Sequence, residues 1–379
     1  MNQTAVIVAA RRTPIGSAGH ALRDIPVADL AAPVLTAVLD DAGIRPGDVD
    51  EVVLGNCLGP GGDVARYAAL AGGLPATVPG LTVDRQCGSG LAAITTAVAL
   101  IEAGHVRCAL AGGAESASTA PWRYWPPTGP SGTPVRYERA PFAPAELGDP
   151  DMGVAADLLA EKHGIGRARQ DAYAARSHRL AHAARESGAF DRELTPVAGV
   201  RADERPRAAL TEERLARLRP AFRPDGTVTA GNSCGVGDGA AAVAVVTERE
   251  ADRRGLAGLR VRKVATAGVD PQWPGLGIVP AVRDVLATTG RVLPDVDVVE
   301  LNEAFAGQVL ACCDELGLDP DRVCTEGGAL ALGHPWGASG AILVVRLFSR
   351  LAALPEGSAG LAAIAVGGGQ GVALLVERR

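Results

Sequence analysis

Apolar positions recur at helical spacing in Val27–Ala42 and Ile278–Thr289, so each stretch is predicted as a helix with one face turned to a core. Between such stretches lie nearly continuous apolar runs that end in glycine, Cys108-Ala-Leu-Ala-Gly-Gly113 and Leu361-Ala-Ala-Ile-Ala-Val-Gly-Gly-Gly369. Short runs without polar alternation predict strands buried on both faces, as in parallel sheets covered by helices. The opening stretch, Ala5-Val-Ile-Val-Ala-Ala10, reads as a first strand. Its basic pair, Arg11-Arg12, follows the apolar run instead of preceding it, the reverse of a secretory signal. Helical patterns recur around Met152–His163 and Gln170–Gly188, after a loop signal in the Pro/Gly/aromatic stretch Pro121–Pro130.

Two pairs of segments repeat at a separation of roughly 250 residues, far beyond a solenoid period. Asp48-Val-Asp-Glu-Val-Val-Leu54 returns as Asp295-Val-Asp-Val-Val-Glu-Leu301, and Gly88-Ser-Gly-Leu-Ala-Ala-Ile94 as Ala338-Ser-Gly-Ala-Ile-Leu-Val344. The chain therefore reads as a duplicated α/β protein, each half βαβ-rich with a mainly parallel sheet, the two sheets sharing central helices. Residues 1–116 with 231–255 form the first half and 256–379 the second. Residues 117–230 are an insert, too long for a plain connection and suited to covering a substrate or contacting a subunit.

At 379 residues and 47% apolar the chain is long enough for two packed α/β units. A formal charge of −6 and 3% aromatic content argue against a nucleic-acid partner. The arginine-rich stretch from Arg167 to Arg223 is interleaved with acids, which favours a solvated, ion-paired surface. Seven scattered cysteines without C-x-x-C or other metal-ligand spacing read as reduced thiols of a cytoplasmic protein with no metal site. No apolar run is long enough to predict a membrane span.

Chemistry enters at Cys87, in Val83-Asp-Arg-Gln-Cys-Gly-Ser-Gly-Leu-Ala-Ala-Ile94. Here an extended segment turns through glycine into a helix, and a thiol at a helix start can ionise near neutral pH. A lone cysteine is more often a small buried residue, so its partners matter. The duplication sets His334, in Gly327-Gly-Ala-Leu-Ala-Leu-Gly-His-Pro-Trp-Gly-Ala-Ser-Gly340, opposite Cys87 at the equivalent helix start, suiting a base or an oxyanion donor. Asn302 and Glu303 follow a repeated strand, where side chains line a site or cap a helix. The Gly367-Gly-Gly369 turn can bring a backbone N–H to an oxyanion or be a tight turn alone.

Along its whole length the sequence resembles the thiolases. It carries their nucleophile motif at Cys87, Asn-Glu-Ala-Phe at 302–305 and Gly-His-Pro-x-Gly-Ala-Ser-Gly at 333–340. Leu218-Arg-Pro-Ala-Phe222 followed by Gly-Thr-Val-Thr-Ala-Gly-Asn232 closes the insert as in that family. The resemblance implies a five-layer αβαβα fold with an inserted loop subdomain, assembled as a homodimer or homotetramer. It implies acyl-CoA acyltransfer through an acyl-Cys87 intermediate, forming or cleaving a 3-oxoacyl thioester, with coenzyme A thioesters as substrates and no permanently bound cofactor. His334 would activate Cys87. His334 with a water on Asn302 corresponds to one oxyanion hole, and the N–H groups of Cys87 and Gly367 to the other. Arg207 matches the residue that contacts the CoA adenine, Cys234 a serine on the pantetheine arm, and Met152, Phe305 and Trp336 lie at pocket positions.

The resemblance breaks at Ala365, where thiolases carry a second cysteine that moves the α-proton of the other acyl-CoA. Cys234 is a candidate substitute base. The pocket departs too: Pro274-Gly-Leu-Gly-Ile278 replaces Met-Gly-x-Gly-Pro, and Asp151 replaces a histidine before Met152. Alternatives are transfer to another acceptor, a decarboxylative Cys-His-Asn condensing enzyme, and a catalytically quiet scaffold subunit.

Overall fold

The computed structural model describes residues 3–129 and 131–379. Met1 and Asn2, and Pro130 of the proline-rich loop, lie outside them. The first half contains strands β1 (Ala5–Arg12), β2 (Glu51–Gly55), β3 (Gly80–Val83), β4 (Cys108–Ser116) and β5 (Gly237–Thr247). Its main helices are α1 (Val27–Ala42), α2 (Val64–Ala71) and α3 (Ser89–Glu102). Between β4 and β5 run a small hairpin and helices α4 (Met152–Lys162) and α5 (Arg167–Glu186). The second half contains β6 (Leu259–Gly268), β7 (Val298–Leu301), β8 (Ala359–Val366) and β9 (Gln370–Arg378). Its main helices are α6 (Ile278–Thr289), α7 (Ala306–Leu316) and α8 (Trp336–Leu351).

The duplication is visible in the strand orders, β1-β5-β4-β2-β3 in one half and β6-β9-β8-β7 in the other. A two-residue ladder, Val6 with Arg260 and Ile7 with Leu259, joins the halves into one hydrogen-bonded sheet. Mainly parallel sheets are not what forms. In the first half β1–β5 and β5–β4 are antiparallel, and only β4–β2 and β2–β3 are parallel. The second half repeats this, with β6–β9 and β9–β8 antiparallel and β8–β7 parallel. The reason is local: β8 and β9 are joined by Gly367-Gly-Gly369 alone, with positive φ at Gly368 and Gly369. A parallel pair needs a crossover of a dozen or more residues, so an apolar run meeting this turn must fold back on itself.

Three apolar clusters separate the layers. Alternate residues of β5, Ala241, Val243 and Val245, join Ile94 and Val98 of α3 and Leu343 and Val344 of α8 in a central cluster. The other face, Ala240, Ala242, Ala244 and Val246, packs on α1 and α2. The outer face of β8 and β9, Leu361, Ala363, Ala373 and Leu375, packs on α6 and α7. Strands with both faces covered are apolar throughout, and α3 is apolar on nearly every side because it lies between two sheets. The resulting order, helix–sheet–helix–sheet–helix, is the five-layer arrangement. At its centre the Gly337 carbonyl lies 1.9 Å from where a Cβ on Gly113 would sit and 2.7 Å from one on Gly90. Only glycine there lets the start of α8 press against both β4 and α3, so the two helix starts carrying the candidate chemistry meet.

Candidate active site

Cys87 stands two residues before α3, after Gln86 in a left-handed conformation at φ 45°. Ser89 Oγ braces this turn, accepting the Arg85 N–H at 2.8 Å and donating to the Gln86 carbonyl at 2.6 Å. The N–H groups of Gly367 and of Cys87 itself point at the sulfur and favour its thiolate. Burial outweighs them and pushes the thiol up to about 11. A helix-start thiolate near neutral pH is therefore not the resting state: the backbone donors offset only part of the desolvation, and another group must take the proton.

His334 is held by its N–H to the Gly235 carbonyl at 2.8 Å. Its Nδ1 lies 2.6 Å from Ser339 Oγ, and its buried Nε2 has no partner among the described residues. Burial lowers its pKa to about 4, so the ring is neutral at pH 7. With Nδ1–H donated to Ser339, the Nε2 lone pair is free to receive a proton. Ser339 repeats Ser89 one duplication unit on. Sequence reading missed its role because the repeat marks the position and not the bond.

Asn302 and Glu303 follow β7 directly. Asn302 caps no helix, since α7 begins at Ala306 behind Phe305. It lines a cavity of about 20 Å³ with Gly333, Ser339 and Ile342, room for about one water. Glu303 is fully buried and accepts hydrogen bonds from Tyr173 Oη at 3.0 Å, Ser177 Oγ at 2.7 Å and the Leu330 N–H at 3.2 Å. It ties α5 of the insert to the segment leading to His334.

Burial raises the Glu303 carboxyl from 4.5 to about 7. A carboxyl that binds its proton more tightly when folded contributes stability that is full below the unfolded pKa and is lost as pH rises through the folded one. Glu303→Gln should therefore gain stability relative to the parent between pH 4.5 and about 7, by on the order of 3 kcal/mol across the window. Urea denaturation of both proteins at stepped pH measures this, and a constant difference across the window would contradict it.

Cys234 joins the site through its N–H to the Ala304 carbonyl at 3.0 Å, beside the Ser233–Phe305 bridge. It lies within electrostatic range of Cys87, and burial pushes its thiol up to about 12. It thus rests as a thiol at neutral pH and, like Cys87, needs another group to take its proton before it can act as a base. Ala365 faces Gly371 near the end of β8 and packs against the outer cluster. Phe142 of the insert covers the adjacent turn, its ring 2.7 Å from where a Cβ on Gly367 would stand.

The pocket positions are spread more widely. Phe305 meets Phe222 edge-on, centroids 6.1 Å apart. Trp336 and Met152 open α8 and α4. Asp151 caps α4, accepting the Gly153 N–H at 2.9 Å, so the residue that replaces histidine serves the helix. Arg207 is exposed on the insert, its N–H donating to His178 Nδ1 at 3.3 Å. Sequence reading missed Glu115, whose buried carboxylate accepts from Asn56 Nδ2, Cys57 N–H, Leu58 N–H and Gly337 N–H at 2.7–3.2 Å. It locks the loop beside Cys87 to the start of α8. The available signal was one charge at the end of an apolar strand run. Among the described residues no group of His, Cys, Asp and Glu could hold a metal ion, and no helix is long and apolar enough to cross a membrane.

A duplicated αβαβα core, with a cysteine and a histidine at paired helix starts, defines an acyl-transferring class of enzyme, and direct comparison agrees. Residues 5–249 match the family profile "Thiolase, N-terminal domain" and residues 256–378 match "Thiolase, C-terminal domain". The chain belongs to the thiolase family, in the acyltransferase class. It is 44% identical over 394 residues to an acetyl-CoA acetyltransferase of Pseudomonas aeruginosa, covering 99% of this chain and 100% of that one. Among solved structures it is similar to the Bacillus anthracis acetyl-CoA acetyltransferase, with TM-score 0.92 and 39% identity over 100% of this chain and 99% of the other. Human mitochondrial 3-ketoacyl-CoA thiolase in complex with CoA gives TM-score 0.94 and 35% identity over 100% and 98%.

Proposed function

We propose that Cys87 takes an acyl group from an acyl-CoA and passes it on, forming or cleaving a 3-oxoacyl thioester, slowly for want of a thiol at Ala365, or delivering the acyl group to another acceptor. The observation that carries this reading is the meeting of the two helix starts that carry Cys87 and the buried, unpartnered His334 Nε2, with the N–H groups of Cys87 and Gly367 near the sulfur. That N–H pair can hold the oxyanion that forms when that sulfur adds to a thioester carbonyl. His334 Nε2 takes the thiol proton as the S–C bond forms. The tetrahedral intermediate collapses, the CoA sulfur leaves, and His334 returns the proton to it. Asn302 and a water in the small cavity it lines would stabilise the charge of the second half-reaction.

The CoA complex of the human relative, together with the exposed Arg207, supports an acyl-CoA lying along the insert with its adenine at Arg207 and its arm past Cys234. Assembly as a homodimer or homotetramer is supported by the edge strand β3, where Leu81 is exposed, as are Tyr67 and Leu70 of α2. The reading is tested by mixing the protein with acetyl-CoA and following the single-turnover release of free CoA. His334→Ala should slow that release by about 10²-fold or more, and an unchanged rate would remove His334 from the mechanism.

A further inference from the structure

One cation close to this site makes no salt bridge among the described residues. Arg205 sits on the insert beside two carboxylates that are both engaged elsewhere. Asp203 accepts from both terminal nitrogens of Arg12 and from the Ile15 N–H, at 2.7–2.9 Å. Glu204 accepts from the Ser17 and Ala21 N–H groups. These bonds fix the backbone on either side of Arg205 and leave Glu204 acting on its guanidinium only at longer range: Nε is buried with no partner among the described residues. The guanidinium carbon lies 2.1 Å from where a Cβ on Gly235 would stand, and Cδ lies 3.2 Å from one on Gly333. Gly235 and Gly333 are the two residues that present His334, one through its carbonyl and one through the chain.

We propose that Arg205 is a positioning residue: a charged wedge that holds the Gly235 and Gly333 segments around His334. Its charge adds to its volume, because Arg205 lies within electrostatic range of Cys234, next to the Gly235 segment. A positive charge near a thiol favours its thiolate, so Cys234 is the thiol that reads the charge. The proximity of Arg207, a second cation, costs the pair stability that a purely structural wedge would not need to bear.

The experiment uses iodoacetamide, with alkylation of the Cys234 peptide followed by mass, alongside acetylation of Cys87 by acetyl-CoA. Arg205→Ala should lower both rates by about tenfold, the equivalent of one pKa unit, while KM for acetyl-CoA changes little. Guanidinium at tens of millimolar should restore the rates in the variant and leave the parent unchanged. Urea, of the same shape and uncharged, should not restore them. Gly235→Ala provides the second variant: its methyl group expels the guanidinium without changing residue 205. It should show the same loss, and the double variant should be no worse than either single one. Parental rates in Arg205→Ala, or equal rescue by urea, would overturn the inference. The proposal rests on acyl transfer at Cys87, and the two can fail separately. A parent that acetyl-CoA never acetylates, but whose alkylation still depends on Arg205, removes the acyl-transfer reading and leaves the wedge.

Discussion

Ala365→Cys should raise the rate of condensation of two acetyl-CoA molecules by about 10²–10⁴-fold and leave acylation of Cys87 unchanged. Condensation needs a carbanion on the second thioester, and therefore a base that removes its α-proton. Among the thiols of the site, Cys234 holds its proton, pushed up to about 12 by burial, and Cys87 carries the acyl group. Position 365 is part-exposed near the end of β8, opposite Gly371 and at the margin of the outer cluster. Acetoacetyl-CoA formation measures the gain. If the variant gains nothing while Cys234→Ser silences the parent, Cys234 is the base and burial has not kept it idle.

Cys87→Ala should remove acyl-enzyme formation and turnover together, a loss beyond that of any other single substitution in the site. The sulfur forms the new bond, and neither His334 nor the two N–H donors can replace it. The fold should be retained, because the turn that holds residue 87 is braced by Ser89 Oγ and not by the thiol. A melting temperature matching the parent, with turnover at background, is the expected pair of results. Residual turnover above about 1% of the parent would place the nucleophile elsewhere, since loss of a bond-forming atom costs far more than loss of a positioned proton carrier.

Much of this arrangement is legible in the chain. The Cys87, His334 and Asn302 segments carry rare glycine-flanked patterns, and the repeats at 48–54 and 88–94 announce the duplicated core. The direction of the strands is not legible from apolar content, because β8 is buried on both faces whether its neighbour runs parallel or not; the Gly367-Gly-Gly369 turn decides it. Nor is the resting state of Cys87. The helix start is local and readable, while the burial that outweighs it comes from segments that meet only when folded. The same holds for the Glu303 bonds to Tyr173, Ser177 and Leu330, whose partners are spread along the chain. Asp151 shows the converse: read as the loss of a pocket histidine, it is the cap of α4.

The most direct test of acyl transfer through Cys87 is the mass of the intact protein after mixing with acetyl-CoA, followed by peptide mapping. One acetyl group per chain on the Cys87 peptide, absent from Cys87→Ala and persisting in the parent because Ala365 cannot generate the acceptor carbanion, is the expected result. An unmodified protein, or an acetyl group on any other residue, would contradict it.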